Sequence, residues 1–258
     1  MTPAMSAAPA KRWLRSAGRV FVALCIFAFG VYVVELSFVR FRYIEAARLI
    51  NSVGRLKIGV TTSDEVRQLS ERFGGALYPG NREIRRFKPI GPTPHYSVMV
   101  SSPFVSFRDR YIHPVGPGIR FWTVSADLKV ENGYLSEIFL RIFAQRADDF
   151  ELTSELSITK ELIDFEPPDV FYEVKEAHVT GPPAEALEIN VTPNADADER
   201  RKALDFDLRC LISLRECRHA CQLSPRAWPD LGERRLHYPD GRENLIKAEC
   251  EKSLAEIK

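Results

Sequence analysis

Neither sign of charge dominates this sequence: 36 lysines and arginines stand against 35 aspartates and glutamates in 258 residues. That balance excludes a strongly basic nucleic-acid binder and an acidic tail protein. With 14 glycines and 17 prolines the chain is also too poor in both for a low-complexity segment to dominate it. Several signatures of catalysis are missing. There is no G-x-S-x-G, no H-E-x-x-H, no Walker A loop and no G-x-G-x-x-G. The five histidines, His95, His113, His178, His219 and His237, have no neighbour at metal-ligand spacing. Pro114-Val115-Gly116-Pro117-Gly118 is a turn and not a phosphate loop, because its prolines remove backbone donors and no Lys-Ser/Thr follows. No repeat of fixed period occurs. The residues point to no cofactor, metal, nucleic acid or small-molecule ligand.

What the sequence does contain begins with one long apolar run. Val20 to Val34 carries no charge; Glu35 interrupts it, and Leu36 to Val39 completes a twenty-residue stretch. As a helix this would span about 30 Å, the thickness of the hydrocarbon core of a bilayer. A cleaved signal peptide would need small residues at the cleavage site, and Glu35-Leu36-Ser37-Phe38-Val39 has no such pattern. A helix packed on a domain core would keep a polar face toward solvent, which Val20–Val34 lacks. The favoured reading is an uncleaved single-pass anchor over residues 20–39, with Glu35 close enough to its end to snorkel to the interface. Lys11, Arg12, Arg15 and Arg19 precede the run without an acid among them. This bias predicts a cytoplasmic tail over 1–19 and an extracytoplasmic, periplasmic domain over 40–258, with a possible subdivision near residue 148. That outer portion holds 32 basic and 34 acidic residues, so its charge suggests no polyanion.

The cysteines bear on the same topology. Cys25 lies in the apolar run; Cys210, Cys217, Cys221 and Cys250 all lie in the last fifty residues. Beyond an export signal, an even number reads as two disulfides. Cys217 and Cys221 stack at i, i+4 in an expected helical turn over Leu214–Leu223, a geometry that disfavours a bridge between them. Pairing Cys210–Cys217 and Cys221–Cys250 closes a short local loop first; the crossed pairing is the alternative. A Cys₄ zinc site, with His219 and His237 nearby, is a competing reading, but C-x₆-C-x₃-C-x₂₈-C has no paired C-x₂-C knuckles. Free structural thiols are the third.

Past the anchor, Val39, Tyr43, Ala46, Ala47, Ile50 and Val53 recur at helical spacing, and Gly54 marks a stop. Thr62 and Glu65 form a T-x-x-E capping box, followed by Val66, Leu69 and Phe73 on one face and Gly74-Gly75 at the end. The stretch Lys57-Ile58-Gly59-Val60-Thr61-Thr62-Ser63-Asp64-Glu65-Val66 resembles the helix-opening G-x-T-x-x-E-V pattern of BamE-type (SmpA/OmlA) envelope lipoproteins. The resemblance covers residues 57–74. It implies a small α+β module of the kind associated with outer-membrane protein assembly, although the lipobox cysteine of those lipoproteins is missing and a helix would anchor this chain instead.

Residues 76–94 read as a loop, with Arg82, Arg85, Arg86 and Lys88 forming a solvated basic stretch. Strands are expected at Tyr96–Val100, extended or followed by Phe104–Phe107, and at Trp122–Val130. The latter joins Tyr134–Gln145 through the hairpin turn Asn132-Gly133. Apolar residues on both faces of Tyr134–Gln145 suggest a central strand. Further strands are expected at Leu152–Ile158, Phe171–Val179 and Leu187–Val191. After a charged turn over Asn194–Lys202, the alternation of Leu204, Phe206, Leu208, Cys210 and Ile212 predicts another strand, with Cys210 inward and Asp205 and Asp207 outward. A C-terminal helix would place Ile246, Cys250, Leu254 and Ile257 on one face. The expected fold is α+β: an N-terminal transmembrane helix, then a mainly antiparallel sheet of about six strands with a few helices.

Two functions from different classes are compatible with this. One is a non-enzymatic, membrane-anchored envelope module that binds a protein partner. The other is an anchored hydrolase with a dispersed site, which would require a deep pocket gathering several of His95, His113, Asp205 and Glu176. Asp148 and Asp149 form a further acid pair without a local signature.

Overall fold

The structure is a computed structural model. It describes residues 8–78, 95–102, 119–146, 151–159, 170–176, 184–192, 195–211, 217–226 and 236–237, and positions 248, 250–252 and 255, some of them by backbone alone. Expectations placed on 1–7, 79–94, 103–118, 147–150, 212–216 and 238–247 lie outside the described residues. They include the basic loop at Arg82–Lys88, Phe104–Phe107, the Pro114–Gly118 turn, Asp148 and Asp149, and the start of the turn at Leu214. His113 and His178 also lie outside.

The chain divides into two compact units, residues 1–41 and 42–258. The first consists of most of helix α1, which runs unbroken over Ala8–Val53. Its apolar side chains are open to the surroundings: Phe21 is 68% exposed, Phe27 72% and Phe29 68%, with Val20, Leu24, Ile26, Val31 and Val34 similar. Among the described residues, no helix is long and apolar enough to cross a membrane. The side chains of Ala28, Tyr32, Glu35 and Leu36, which interrupt this run, are not among those described.

The second unit is a mixed α+β domain. It opens with the last turns of α1, whose Ala46, Leu49, Ile50 and Val53 are buried at helical spacing. After Gly54 the chain turns, and α2 spans Ser63–Arg72. Its start is the expected capping box: Glu65 N–H donates to Thr62 Oγ1 (3.4 Å), and Thr62 N–H donates to Glu65 Oε2 (2.7 Å). The Thr62 backbone and hydroxyl together hold the Glu65 carboxyl below the usual carboxylate range.

Eight strands form one sheet: β1 (Ala76–Tyr78), β2 (His95–Ser101), β3 (Ile119–Glu131), β4 (Tyr134–Arg146), β5 (Glu151–Thr159), β6 (Val170–Glu176), β7 (Ala184–Val191) and β8 (Leu236–His237). Their order is β1-β2-β3-β4-β5-β7-β6-β8. Neighbours are antiparallel except β5–β7 and β6–β8. The sheet therefore exceeds the expected six strands, and one sheet runs through both sides of residue 148. β1 begins in what reads as loop from the sequence, because three residues pairing with β2 leave too short an alternation to detect.

The β3–β4 hairpin turns through Asn132 (φ 53°) and Gly133 (φ 82°), the left-handed pair that a two-residue primed turn requires. Segment 57–63 docks on the hairpin tip: Gly59 N–H donates to Leu135 O (2.8 Å), and Leu135 N–H to Thr61 O (2.9 Å). One face of the sheet is dry. Val124, Ala126, Leu128, Leu140, Ile142, Leu152, Leu156 and Leu187 are fully buried there, and each Leu or Ile contributes about 1.5–3 kcal/mol of transfer energy. The other face of the central strands is half-buried and mixed. Arg141 Nε donates to Glu155 Oε1 (2.7 Å) and its guanidinium stacks 5.4 Å from the Phe139 ring centroid.

The segment after β7 corrects the sequence reading. Asn194–Lys202 is not a charged turn, since α3 spans Ala197–Ala203, and Leu204–Ile212 does not form a strand. Asp196 caps α3 by accepting from Asp198 and Glu199 N–H (2.8 Å each), and Glu199 returns a bond from Asp196 N–H (3.0 Å). Leu204–Asp207 is irregular, and Leu208–Leu211 is a 3₁₀ turn. A 3₁₀ turn brings i and i+3 to one side, so Leu208 and Leu211 are both buried while Cys210 is half-buried. A second 3₁₀ turn, Ala220–Gln222, stands within the stretch expected to be helical. Beyond it the chain is helical at the described positions Ala248, Cys250–Lys252 and Ala255.

Candidate functional site

A recess lies beside the disulfide segment. Cys210 is bonded to Cys217 and Cys221 to Cys250, with Cα–Cα distances of 5.1 and 6.2 Å. Four cysteines held in disulfides leave no thiolates for a Cys₄ metal site. Among the described residues, no group of three or more His, Cys, Asp or Glu is arranged to hold a metal ion. Cys25 is a free, exposed thiol on α1.

The recess is a cleft of about 480 Å³. One wall is a stripe on the last turns of α1: Tyr43, Ala47, Ile50 and Asn51, spaced i, i+4, i+7 and i+8. The other wall is Leu204–Arg209 together with Pro225 and Arg226. Both walls include apolar residues, and two ion pairs line the cleft as well. Arg226 Nε donates to Asp205 Oδ2 at 2.7 Å. Arg209 grips Asp207 in a fork, with Nε 2.9 Å from Oδ1 and Nη2 2.5 Å from Oδ2, while its own backbone N–H donates to Oδ1 at 2.9 Å. Burial pushes the Asp207 carboxyl upward. The side-chain and backbone hydrogen bonds from Arg209, and its charge, outweigh this and hold the group below the usual carboxylate range. The same contact raises Arg209 further above its ordinary value.

The two pairs differ in accessibility. The side chain of Asp207 is 13% exposed and that of Asp205 43%, whereas Arg209 and Arg226 are 68% and 63% exposed. Asp207 is thus a structural anchor for Arg209, further tied by its N–H donating to Leu223 O at 2.8 Å. Asp205, Arg209 and Arg226, each well exposed, all line the cleft. Asp205 and Asp207 do not point outward from a strand as the alternation suggested; they sit on an irregular wall and are paired.

A second polar constellation lies beneath the 3₁₀ turn at Ala220–Gln222. The buried Glu185 carboxylate of β7 accepts from Ala220 N–H (2.7 Å) and lies 3.2 Å from His219 Nδ1. Gln222 Oε1 accepts from the backbone N–H of Arg218 and of His219 (3.2 Å). The hydroxyls of Ser154 and Ser224, both buried, are 3.3 Å apart. Neither Glu185 nor its pairing with His219 was visible in the sequence, because the two residues lie 34 positions apart without a motif.

Of the four residues that a hydrolase pocket was expected to gather, the cleft holds Asp205 alone. His95 is buried on β2. Glu176 ends β6, where only the backbone is described, and His113 lies outside the described residues. No family model matches the chain, and no curated protein or solved structure matches it.

Proposed function

We propose that this chain is a single-pass membrane protein of the cell envelope that displays a disulfide-stapled α+β binding module outside the cytoplasm. Residues 20–39 serve as the anchor, residues 1–19 as the cytoplasmic tail, and residues 40–258 as the periplasmic domain. The observation that carries this reading is the α1 segment Val20–Val34, which is free of charge and exposes large apolar side chains such as Phe21, Phe27 and Phe29. An uncovered apolar stretch of that length is stable in a bilayer and costly in water. The two disulfides support an oxidising compartment for the rest of the chain. Both carboxylates of the cleft are engaged by arginine, which suits recognition better than proton transfer. The work of the module is then to bind a partner of the envelope, a role that the resemblance of residues 57–74 to BamE-type lipoproteins also suggests.

Maleimide mass-tagging in intact cells and after lysis, with and without reductant, tests the topology. The four C-terminal cysteines should resist tagging until reduced. Ready tagging on lysis without reductant would place them in a reducing compartment and overturn the proposal.

A second reading, an anchored hydrolase, draws on one observation. Glu185 against His219 Nδ1 is the arrangement that orients the imidazole of an acyl-transfer site. Labelling by an activity-based fluorophosphonate, abolished by His219→Ala in a folded protein, would favour it over the binding module.

A further inference from the structure

The geometry points to the cleft between α1 and Leu204–Arg209 as a docking site for the phosphoethanolamine headgroup of a membrane lipid. The inference rests on the anchor reading given above.

Reach comes first. Tyr43, on the cleft wall, follows Val39, the last residue of the apolar stretch, by four residues. Four residues span at most about 14 Å even when fully extended. Whatever the two units' arrangement, part of this cleft is therefore tethered close to the end of the anchor. The headgroup layer is the region that lies there, about 5–8 Å deep on each side of the hydrocarbon. Tyrosine suits that layer, being apolar along its ring and polar at its tip.

Charge complementarity selects the headgroup. The accessible groups are two guanidiniums, Arg209 and Arg226, and one carboxylate, Asp205. Arg226 spends its Nε on Asp205 Oδ2, and Arg209 spends Nε and Nη2 on Asp207. A guanidinium carries five N–H donors, so donors remain on both residues for a phosphate. A phosphate offers acceptors for those donors, and a primary ammonium offers N–H donors to Asp205, whose side chain is 43% exposed and which lines the same cleft. A purely anionic headgroup would bring like charge beside Asp205 and offer it no donor beyond the one it already has from Arg226. A quaternary ammonium has no N–H to offer that carboxylate. The apolar side chains of the same walls, Ala47, Ile50 and Phe206 among them, suit the glycerol end of a lipid. At about 480 Å³ the cleft is within the range of small-ligand sites.

The test uses the full chain in nanodiscs of phosphatidylcholine alone, of phosphatidylcholine with phosphatidylethanolamine, and of phosphatidylcholine with phosphatidylglycerol. The readout is hydrogen–deuterium exchange of the amides at 204–209 and 225–226. Exchange should slow severalfold only in the ethanolamine discs, and Arg226→Gln or Asp205→Asn should remove the difference without releasing the protein from the disc. Equal exchange in all three discs overturns the proposal. So does equal slowing in phosphatidylglycerol, which would indicate a generic anionic surface. Slowing by soluble O-phosphoethanolamine in phosphatidylcholine discs, with none by the lipid, would make the source a free metabolite and overturn the membrane assignment. Alkaline carbonate extraction is run in parallel. Loss of the chain from the membrane there defeats the anchor reading itself, whereas retention with unchanged exchange defeats only the headgroup site.

Discussion

Glu185 holds the 3₁₀ turn of the disulfide segment against the sheet: its carboxylate, 3% exposed on β7, binds the Ala220 N–H at 2.7 Å and faces His219 Nδ1 at 3.2 Å. A buried carboxylate is tolerated only when its acceptor sites are filled. Here the main-chain donor of a buried alanine fills one of them. The side chain thus acts as a clasp between an internal strand and a loop that has no ladder of its own. Glu185→Gln retains an acceptor for Ala220 and should be mild. Glu185→Leu strands that N–H and should lower stability by about 1–3 kcal/mol. Urea midpoints of the two variants in one detergent provide the comparison. Equal loss in both would mean that charge, and not the acceptor, is what the site requires.

The Asp207–Arg209 fork makes a prediction about acid. Asp207 titrates lower in the folded chain than in the unfolded one. Its contribution is therefore present above the ordinary aspartate range and is lost as pH falls through the lower, folded value. Arg209→Gln should reduce stability near neutrality by about 1 kcal/mol or less, since the arginine is largely exposed. The gap to the unaltered protein should hold from about pH 7 down to the ordinary aspartate value of about 4 and narrow only in stronger acid, as pH falls through the lowered Asp207 value. Denaturation midpoints measured across that range would show the convergence. A gap that widens in acid would contradict the assignment.

The two disulfides should not be equivalent. Cys221–Cys250 encloses a sequence separation of 29 and Cys210–Cys217 one of 7. In the chain-entropy picture these constrain the unfolded state by about 3.6 and about 2.4 kcal/mol. Replacing both members of each pair by serine should lower the thermal midpoint more for 221/250 than for 210/217. The 210/217 change should instead show locally, as faster amide exchange along Asp207–Leu211 on the cleft wall.

Gly75 is the tightest glycine described. A Cβ there would come within 2.5 Å of Ser70 Oγ, 2.6 Å of Val98 Cγ2 and 2.7 Å of Ser97 O. The last is backbone and cannot swing aside. Gly75→Ala should cost about 1–3 kcal/mol by forcing α2 away from β2. Gly74→Ala makes a useful contrast. It meets nothing within 4 Å, so any penalty there comes from its φ of +68° alone.

Where local chemistry decides the structure, the sequence was a good guide. Thr62 and Glu65 identify the start of α2, and Asn132-Gly133 identifies the β3–β4 turn, because each needs only residues a few positions apart. The apolar positions on both faces of β4 likewise mark it as interior, flanked by β3 and β5. The alternation of Leu204, Phe206 and Leu208 misled, because those residues follow one another through tight turns, with Asp205 N–H donating to Lys202 O, Phe206 N–H to Leu204 O and a 3₁₀ turn from Leu208. Just before them, Asp196 and Glu199 carry a second capping box, the local signal for the short helix that replaces the expected charged turn. The cleft was hidden for another reason. Tyr43 and Asn51 belong to one helix and Asp205 to Arg226 to a loop far along the chain, so nothing in either stretch announces the other. The clasp at Glu185 shares that difficulty.

The strand order has a consequence for how the domain is completed. β7 is inserted between β5 and β6, so β5 meets as its neighbour not the next strand made but the one after it. A chain delivered from its N-terminus has β1 to β5 available while the outer backbone of β5 remains an open edge. β6 cannot close it; only residues 184–191 can, and β6 joins the sheet through them. Assembly is thus gated on one eight-residue segment arriving late, a non-local step that is slow by nature. Any product ending before residue 184 would keep the hydrogen-bonding groups of β5 bare, in the state most prone to pair with another copy of itself.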